Sequence, residues 1–105
     1  MKIMVIDFAD TDHIKDILPK EVEILVEKKD GGRAYKLAGE ELPDIIFIKY
    51  KDKPNHGRQT AISIKERKNT ANIPIYFVDG NDIENEKVKR VGLCINSEEV
   101  PKYVP

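Results

Sequence analysis

The sequence predicts a single α/β domain over residues 1–105: a three-layer α/β/α sandwich around a five-stranded parallel sheet, with a truncated last helix. Apolar β-branched runs recur every ~20 residues, and segments with helical spacing lie between them. Three of the runs are almost continuously apolar, which is typical of strands covered on both faces. Strands that alternate with helices imply right-handed crossovers and a parallel sheet. The 105 residues suit one domain.

Five runs are interpreted as strands, and the first, third and fourth of them are the most continuously apolar. They are KIMVID at 2–7, VEILVE at 22–27, DIIFIK at 44–49, IPIYFVD at 73–79 and GLCIN at 92–96. The second run alternates between apolar and charged residues, which places it nearer an edge of the sheet.

The segments between the strands carry apolar stripes at helical spacing. The stripes are Ile14, Ile17 and Leu18; Ala34, Leu37, Ala38 and Leu42 after a turn at 30–32; Ala61, Ile62 and Ile64 within 58–68; and Ile83, Val88 and Val91 within 82–91. Asp10, Thr11 or Asp12 is available to cap the first helix, and Asn81 or Asp82 the last. Residues 49–58 remain as the one long connection. It leaves the carboxyl end of the third strand, where open α/β sheets bind ligands.

Composition excludes several classes of function. The 18 basic and 19 acidic residues give a net charge of −1, so no global field attracts nucleic acid or an anionic membrane. Cys94 is the single cysteine and has no disulfide partner. His13 and His56 are too isolated in sequence to suggest a metal pair. No run spans a bilayer and no signal-peptide pattern is evident, so we expect a cytoplasmic protein without cofactors. Abundant Ile, Lys and Glu without Trp is typical of a thermophilic source.

Three stretches are similar to the receiver domains of bacterial response regulators, which have a flavodoxin-like fold. They are KIMVIDFAD, DGGRAYKLAGEELPDIIFIK and NIPIYFVDG, which resemble the first strand with its acidic end, the second helix with the third strand, and the fourth strand. The resemblance covers roughly residues 2–97 and rests on pattern more than on signature residues. It implies the strand order 2-1-3-4-5 and a regulatory role.

The functional positions of the family fall on five residues of this chain. The metal-binding acidic pair falls on Asp7 and Phe8, the phosphoacceptor aspartate on Lys49, and the Ser or Thr that senses the phosphoryl group on Asp79. The lysine of the Lys-Pro pair falls near Asn96, which no proline follows. Four of the five positions therefore depart from the family, and we expect no catalytic residues.

The residue at the acceptor position suggests its own explanation. An ammonium cannot take a phosphoryl group as an acyl phosphate, and it repels a divalent cation. We expect Lys49 to pair with Asp7 or Asp79 and to replace the metal by a permanent internal charge. The predicted function is a phosphorylation-independent, non-catalytic module for protein–protein interaction.

Other interpretations remain open at this point. Lys49 could simply face solvent at a strand end, or Asp52 could be the acceptor if the alignment is shifted. Strand-end carboxylates of Asp7, Asp79 and Asp82 could hold a metal for a small enzyme or metal-dependent binder. A basic patch could bind nucleic acid, although the neutral charge makes this the weaker alternative. Its members are Lys49, Lys51, Lys53, Arg58, Lys65, Arg67 and Lys68.

The sequence does not identify the protein partner. Receivers use the face of their fourth helix, fifth strand and fifth helix for dimers and partners. With the fifth helix truncated, that face would be thin and partly apolar, with Val100, Tyr103 and Val104 available for a homodimer or another docking protein.

Overall fold

A computed structural model describes residues 1–9 and 13–105. The strands are β1 (Lys2–Ile6), β2 (Glu23–Glu27), β3 (Ile45–Lys49), β4 (Ile75–Val78) and β5 (Leu93–Ile95). The helices are α1 (His13–Asp16), α2 (Gly31–Glu41), α3 (Pro54–Glu66) and α4 (Asp82–Glu86), and a 3₁₀ helix spans Ser97–Tyr103. All five predicted strands are present, each one to three residues shorter than its run.

The five strands form one parallel sheet in the order β2-β1-β3-β4-β5, as predicted. Register places Ile6 opposite Ile48 and Lys49 opposite Val78. The carboxyl ends of β1, β3 and β4 therefore meet at one edge of the sheet. This edge is where the side chains assigned to the candidate site lie.

Two apolar clusters cover the two faces of the sheet. On one face, Ile46, Ile48 and Phe77 pack against Ala38 of α2 and Ile64 of α3. On the other, Val5, Phe47 and Val78 pack against Ile14 of α1 and Val100 of the 3₁₀ helix. Both faces are covered, which explains why the central strands are continuously apolar. The predicted three layers are confirmed.

The predicted stub after the last strand is the 3₁₀ helix Ser97–Tyr103. Pro101 lies within it and cannot donate a main-chain hydrogen bond, so the sequence does not favour a full α-helix here. The main-chain N–H of Asn96 donates to Oε1 of Glu99 at 3.0 Å, so this N–H has a hydrogen-bond acceptor at the start of the helix. β5 is thus followed by a short element where a longer helix is expected for this topology.

Two expectations about the helices are wrong. The long connection after β3 is only residues 50–53, because α3 begins at Pro54, where a proline suits the first helical position. Ile83 does not share a buried side with Val88 and Val91, because α4 ends at Glu86. The Ile83 side chain is 73% exposed while that of Val88 is buried.

Side-chain oxygens cap two of the helices, α2 and α4. Asn81 caps α4, as expected, by accepting from the N–H of Glu84. Asp30 caps α2, so Gly31 and Gly32 open a helix rather than form a separate turn. The predicted caps Asp10, Thr11 and Asp12 of α1 lie outside the described residues. Within residues 1–9 and 13–105, every helix is too short or too polar to cross a bilayer.

Candidate functional site

The candidate site lies at the carboxyl edge of the sheet, where β1, β3 and β4 end. Lys49 is the last residue of β3, and its side chain is only 9% exposed. Asp7 follows β1 directly and is 1% exposed. One step beyond the registered pair Ile6–Ile48, Asp7 and Lys49 are neighbours on the same face of the sheet. The interpretation of Lys49 as a plain surface residue is therefore wrong.

Lys49 forms an ion pair with a residue that was not expected as its partner. Its Nζ lies 3.6 Å from Oδ2 of Asp52, whose side chain is 43% exposed. Asp52 lies only three residues further along, in the short 50–53 connection, so its carboxylate can return to the strand end. The pair joins the tip of β3 to the start of the connection that leads into α3.

Asp79 is bound by the chain that follows β5, and the predicted pair of Lys49 with Asp79 is wrong. The N–H of Ser97 donates to Oδ1 of Asp79 at 2.8 Å, and the Ser97 hydroxyl donates to Oδ2. Asp79 has a φ of 62°, a left-handed conformation that aspartate tolerates better than most residues. This turn directs its carboxylate to Ser97. The pairing of Lys49 with Asp7 stays a prediction.

The remaining assigned positions have structural contacts. Phe8 is 8% exposed and packs edge-on against the ring of His56, with centroids 6.1 Å apart. Asn96 directly follows β5 and is the N-cap residue of the 3₁₀ helix. Oδ1 of Asp7 accepts from the N–H of Ala9 at 3.1 Å. In residues 1–9 and 13–105, no three His, Cys, Asp or Glu side chains cluster to hold a metal, so Asp7, Asp79 and Asp82 do not form such a group.

Internal contacts engage four of the seven members of the predicted basic patch. Lys49 pairs with Asp52 and Arg58 with Glu84. Lys65 Nζ donates to the carbonyls of Ala71 and Ile73; its burial lowers its pKa. Arg67 lies 3.5 Å above the Tyr35 ring and donates to the Tyr35 carbonyl. Lys51, Lys53 and Lys68 are exposed.

A polar cluster beside the site was missed by sequence reasoning. Tyr50 directly follows Lys49, is fully buried, and donates from its hydroxyl to the carbonyl of Glu84 at 2.8 Å. Nη1 of Arg58 lies 3.3 Å from the Tyr50 oxygen and 3.0 Å from Oε2 of Glu84. The available signal was a tyrosine at the end of a buried strand, although its partners are 8 and 34 residues away.

Charges in this cluster shift two pKa values in the direction that favours the ionised forms. Hydrogen bonds from Lys87 and then Arg58 lower the pKa of Glu84 below its usual 4.5, and they outweigh its partial burial. Hydrogen bonds to Tyr50 and then Glu84 raise the pKa of Arg58. Elsewhere, burial raises the pKa of the Cys94 thiol, which disfavours a reactive thiolate.

The fold of this chain has relatives among solved structures. No family model matches the chain, and no curated protein matches its sequence. Solved structures with the same architecture include a putative response regulator from Chloroflexus aurantiacus, with a TM-score of 0.72 at 15% identity, covering 94% of this chain and 89% of that one.

Two further structures are similar. The signal receiver domain of a DNA-binding response regulator from Colwellia psychrerythraea has a TM-score of 0.70 at 17% identity, covering 91% of this chain and 85% of that one. The response regulator domain of Thermotoga maritima CheB has a TM-score of 0.67 at 20% identity, with 90% and 75% covered. The chain has the fold of a response-regulator receiver domain. In this fold Lys49 is the last residue of β3, and Asp79 and Asn96 directly follow β4 and β5.

We expect Lys49→Met to lower the free energy of unfolding by about 1–3 kcal/mol, because a nearly buried ammonium is lost beside the buried carboxylate of Asp7. Urea denaturation measures this. The control Asp52→Asn should cost about 0–1 kcal/mol, since Asp52 is largely solvated. If Lys49 balances Asp7, the double variant Asp7→Asn/Lys49→Met should recover part of the loss. A Lys49→Met protein as stable as the parent would contradict an internal role for this cation.

Glu84 should make stability sensitive to acid. Its pKa is lower in the folded than in the unfolded chain, so its contribution is complete above about 4.5 and disappears as pH falls through the folded pKa. The stability difference between the parent and Glu84→Gln should therefore be constant from pH 7 to 5 and shrink below 4.5. Glu86→Gln, in the exposed pair with Lys89, is the charge-matched control and should show a smaller difference. A difference independent of pH would contradict the assignment.

Proposed function

We propose that this chain is a phosphorylation-independent regulatory module with a receiver fold, which acts through protein–protein contacts and not through catalysis. The single observation that carries this proposal is the nearly buried Lys49 at the tip of β3. The fold supports the coarser part of the proposal, because its structural relatives are signalling domains of response regulators.

Phosphotransfer chemistry argues for the finer part. An aspartyl phosphate requires a carboxylate nucleophile and a divalent cation held by further carboxylates. Lys49 supplies an ammonium at the nucleophile's position, and Phe8 replaces one of the two acidic residues of β1. Asp79 stands where a hydroxyl would contact a phosphoryl group, and its negative charge would repel that group.

Asp52 is a poor substitute for the missing acceptor. It lies beyond the strand, in the connection 50–53, and its carboxylate is already paired with Lys49 at 3.6 Å. Asp52 also lies three residues beyond the strand-end position at which the resemblance places the acceptor. Its place in the connection supports the inference that it does not replace the missing acceptor.

The surface formed by α4 and β5 is the proposed contact face. Ile83 of α4 is 73% exposed and Leu93 of β5 is 50% exposed, so each element offers apolar surface to a partner. The earlier expectation for Val100, Tyr103 and Val104 is wrong. Val100 and Val104 are buried in the core, and the half-buried Tyr103 stacks on Tyr76 with centroids 4.7 Å apart. A protein partner or a second copy would contact Ile83 and Leu93.

The protein should not accept a phosphoryl group from acetyl phosphate or phosphoramidate in the presence of Mg²⁺. Intact-protein mass measures this directly, and we expect an unchanged mass for the parent and for Asp52→Asn. A gain of one phosphoryl group that hydroxylamine removes would contradict the proposal. If that gain disappeared in Asp52→Asn, the acceptor would be Asp52 and the assignment of Lys49 to the acceptor position would be wrong.

A further inference from the structure

Tyr50 fills the space between β3 and the turn that leads into α4. Its ring is fully buried and lies 4.9 Å from that of Phe77, centroid to centroid. Its hydroxyl reaches the main chain of α4 at the carbonyl of Glu84, 2.8 Å away. This hydrogen bond joins the end of β3 to the middle of α4. None of the side chains of α4, Asp82–Glu86, is buried.

Gly80, in the turn between β4 and α4, leaves room for the Tyr50 ring. A Cβ at Gly80 would lie 2.5 Å from Cδ2 of Tyr50, which no real side chain allows. Gly57 of α3 similarly leaves room beside Ile48 and Tyr50, where a Cβ would lie 3.0 Å and 3.5 Å away. The ring is therefore enclosed by two main-chain segments at contact distance, a close packing that leaves little freedom for either segment.

Arg58 ties the same point to α3. Its guanidinium donates both to the Tyr50 oxygen and to the Glu84 carboxylate, at 3.3 Å and 3.0 Å, and it also contacts Asn55. The Arg58 and Glu84 side chains are only 20% and 18% exposed, so solvent screens this pair less than an ordinary surface pair. Glu84 is thus bound through both its carbonyl and its carboxylate.

The β4–α4 turn is held from its other side as well. Asp79, at the start of the turn, is bound twice by Ser97 of the 3₁₀ helix. Nδ2 of Asn85 donates to the carbonyl of Gly80 at 3.2 Å. The turn is consequently fixed between β3 on one side and the C-terminal segment on the other.

We propose that Tyr50 is a clamp that fixes α4 and the β4–α4 turn to β3, so that the α4–β5 face is held in one preset position. This inference deepens the proposed function and rests on it, since a module without a phosphoryl switch needs its contact face set by other means. Opening α4 would break the Tyr50–Glu84 bond, separate Arg58 from Glu84 and expose the Tyr50 ring. The free energy of local opening of α4 therefore includes the loss of the contacts of both Tyr50 and Arg58.

Native-state hydrogen exchange on the full chain tests the clamp. In Tyr50→Phe, which removes only the hydroxyl, the amides of Asn85 and Val88 should exchange about five to thirty times faster. That factor corresponds to losing about 1–2 kcal/mol at 1.36 kcal/mol per tenfold. The amide of Ile46, which bonds to the carbonyl of Pro74 in the central sheet, should change less. Arg58→Ala should act on the same amides, and the double variant should add less than the sum.

Tyr76→Phe is the matched control, because Tyr76 stacks on Phe47 and Tyr103 on the opposite face of the sheet. It should leave the ratio of α4 to central-sheet exchange unchanged. Equal acceleration of α4 and sheet amides in Tyr50→Phe would overturn the clamp, as would unchanged α4 exchange or an equal effect of Tyr76→Phe. If the parent protein accepts a phosphoryl group and Tyr50→Phe still accelerates exchange selectively in α4, the proposed function is refuted and the clamp is supported. If the parent is not phosphorylated and Tyr50→Phe does not accelerate α4 exchange selectively, the clamp is refuted and the proposed function is supported.

Discussion

Lys49 and Tyr50, at the end of β3, point to opposite faces of the sheet, and the candidate site depends on this alternation. Lys49 follows Ile45 and Phe47 toward the face of α1 and the 3₁₀ helix, where Asp7 is its neighbour. Tyr50 follows Ile46 and Ile48 toward the face of α2 and α3, where it reaches α4. The end of β3 therefore places the Lys49 ammonium at the carboxyl edge of the sheet and the buried Tyr50 ring against the β4–α4 turn. A shift of one residue in register would exchange the two roles.

A short last helix has consequences for the same edge. The 3₁₀ helix starts directly after β5, so Ser97 lies close enough to bind both carboxylate oxygens of Asp79. Its apolar residues Val100 and Val104 are used to cover the sheet. Leu93, at the start of β5, stays half exposed. The short helix thus covers one face of the sheet and holds the β4–α4 turn through Ser97.

The fold was predictable from the sequence because burial on both faces leaves a clear signal. Continuous apolar runs such as Ile45–Ile48 are rare outside covered strands, and the strand order followed from the resemblance to receivers. The limits of short helices were less predictable. Pro54 started α3 four residues earlier than the apolar stripe indicated, and the stripe at Ile83 was misleading because α4 is only five residues long. Periodicity carries little information over so few residues.

The site was predictable in position and not in contacts. Strand ends fixed where Asp7, Lys49 and Asp79 lie, because parallel strands end at one edge. Their contacts depend on local geometry. Asp79 has a left-handed backbone conformation and accepts from Ser97, and Asp52 pairs with Lys49. Two members of the predicted basic patch, Arg58 and Arg67, contact Glu84 and Tyr35, which are distant in the sequence, and periodicity cannot predict such contacts.

The most direct test of the central claim, that Lys49 takes the place of a metal, is a Mg²⁺ titration followed by amide chemical shifts. The account predicts no saturable shifts at Asp7, Lys49 and Asp79 in the parent; saturable shifts that converge on these three residues would contradict it.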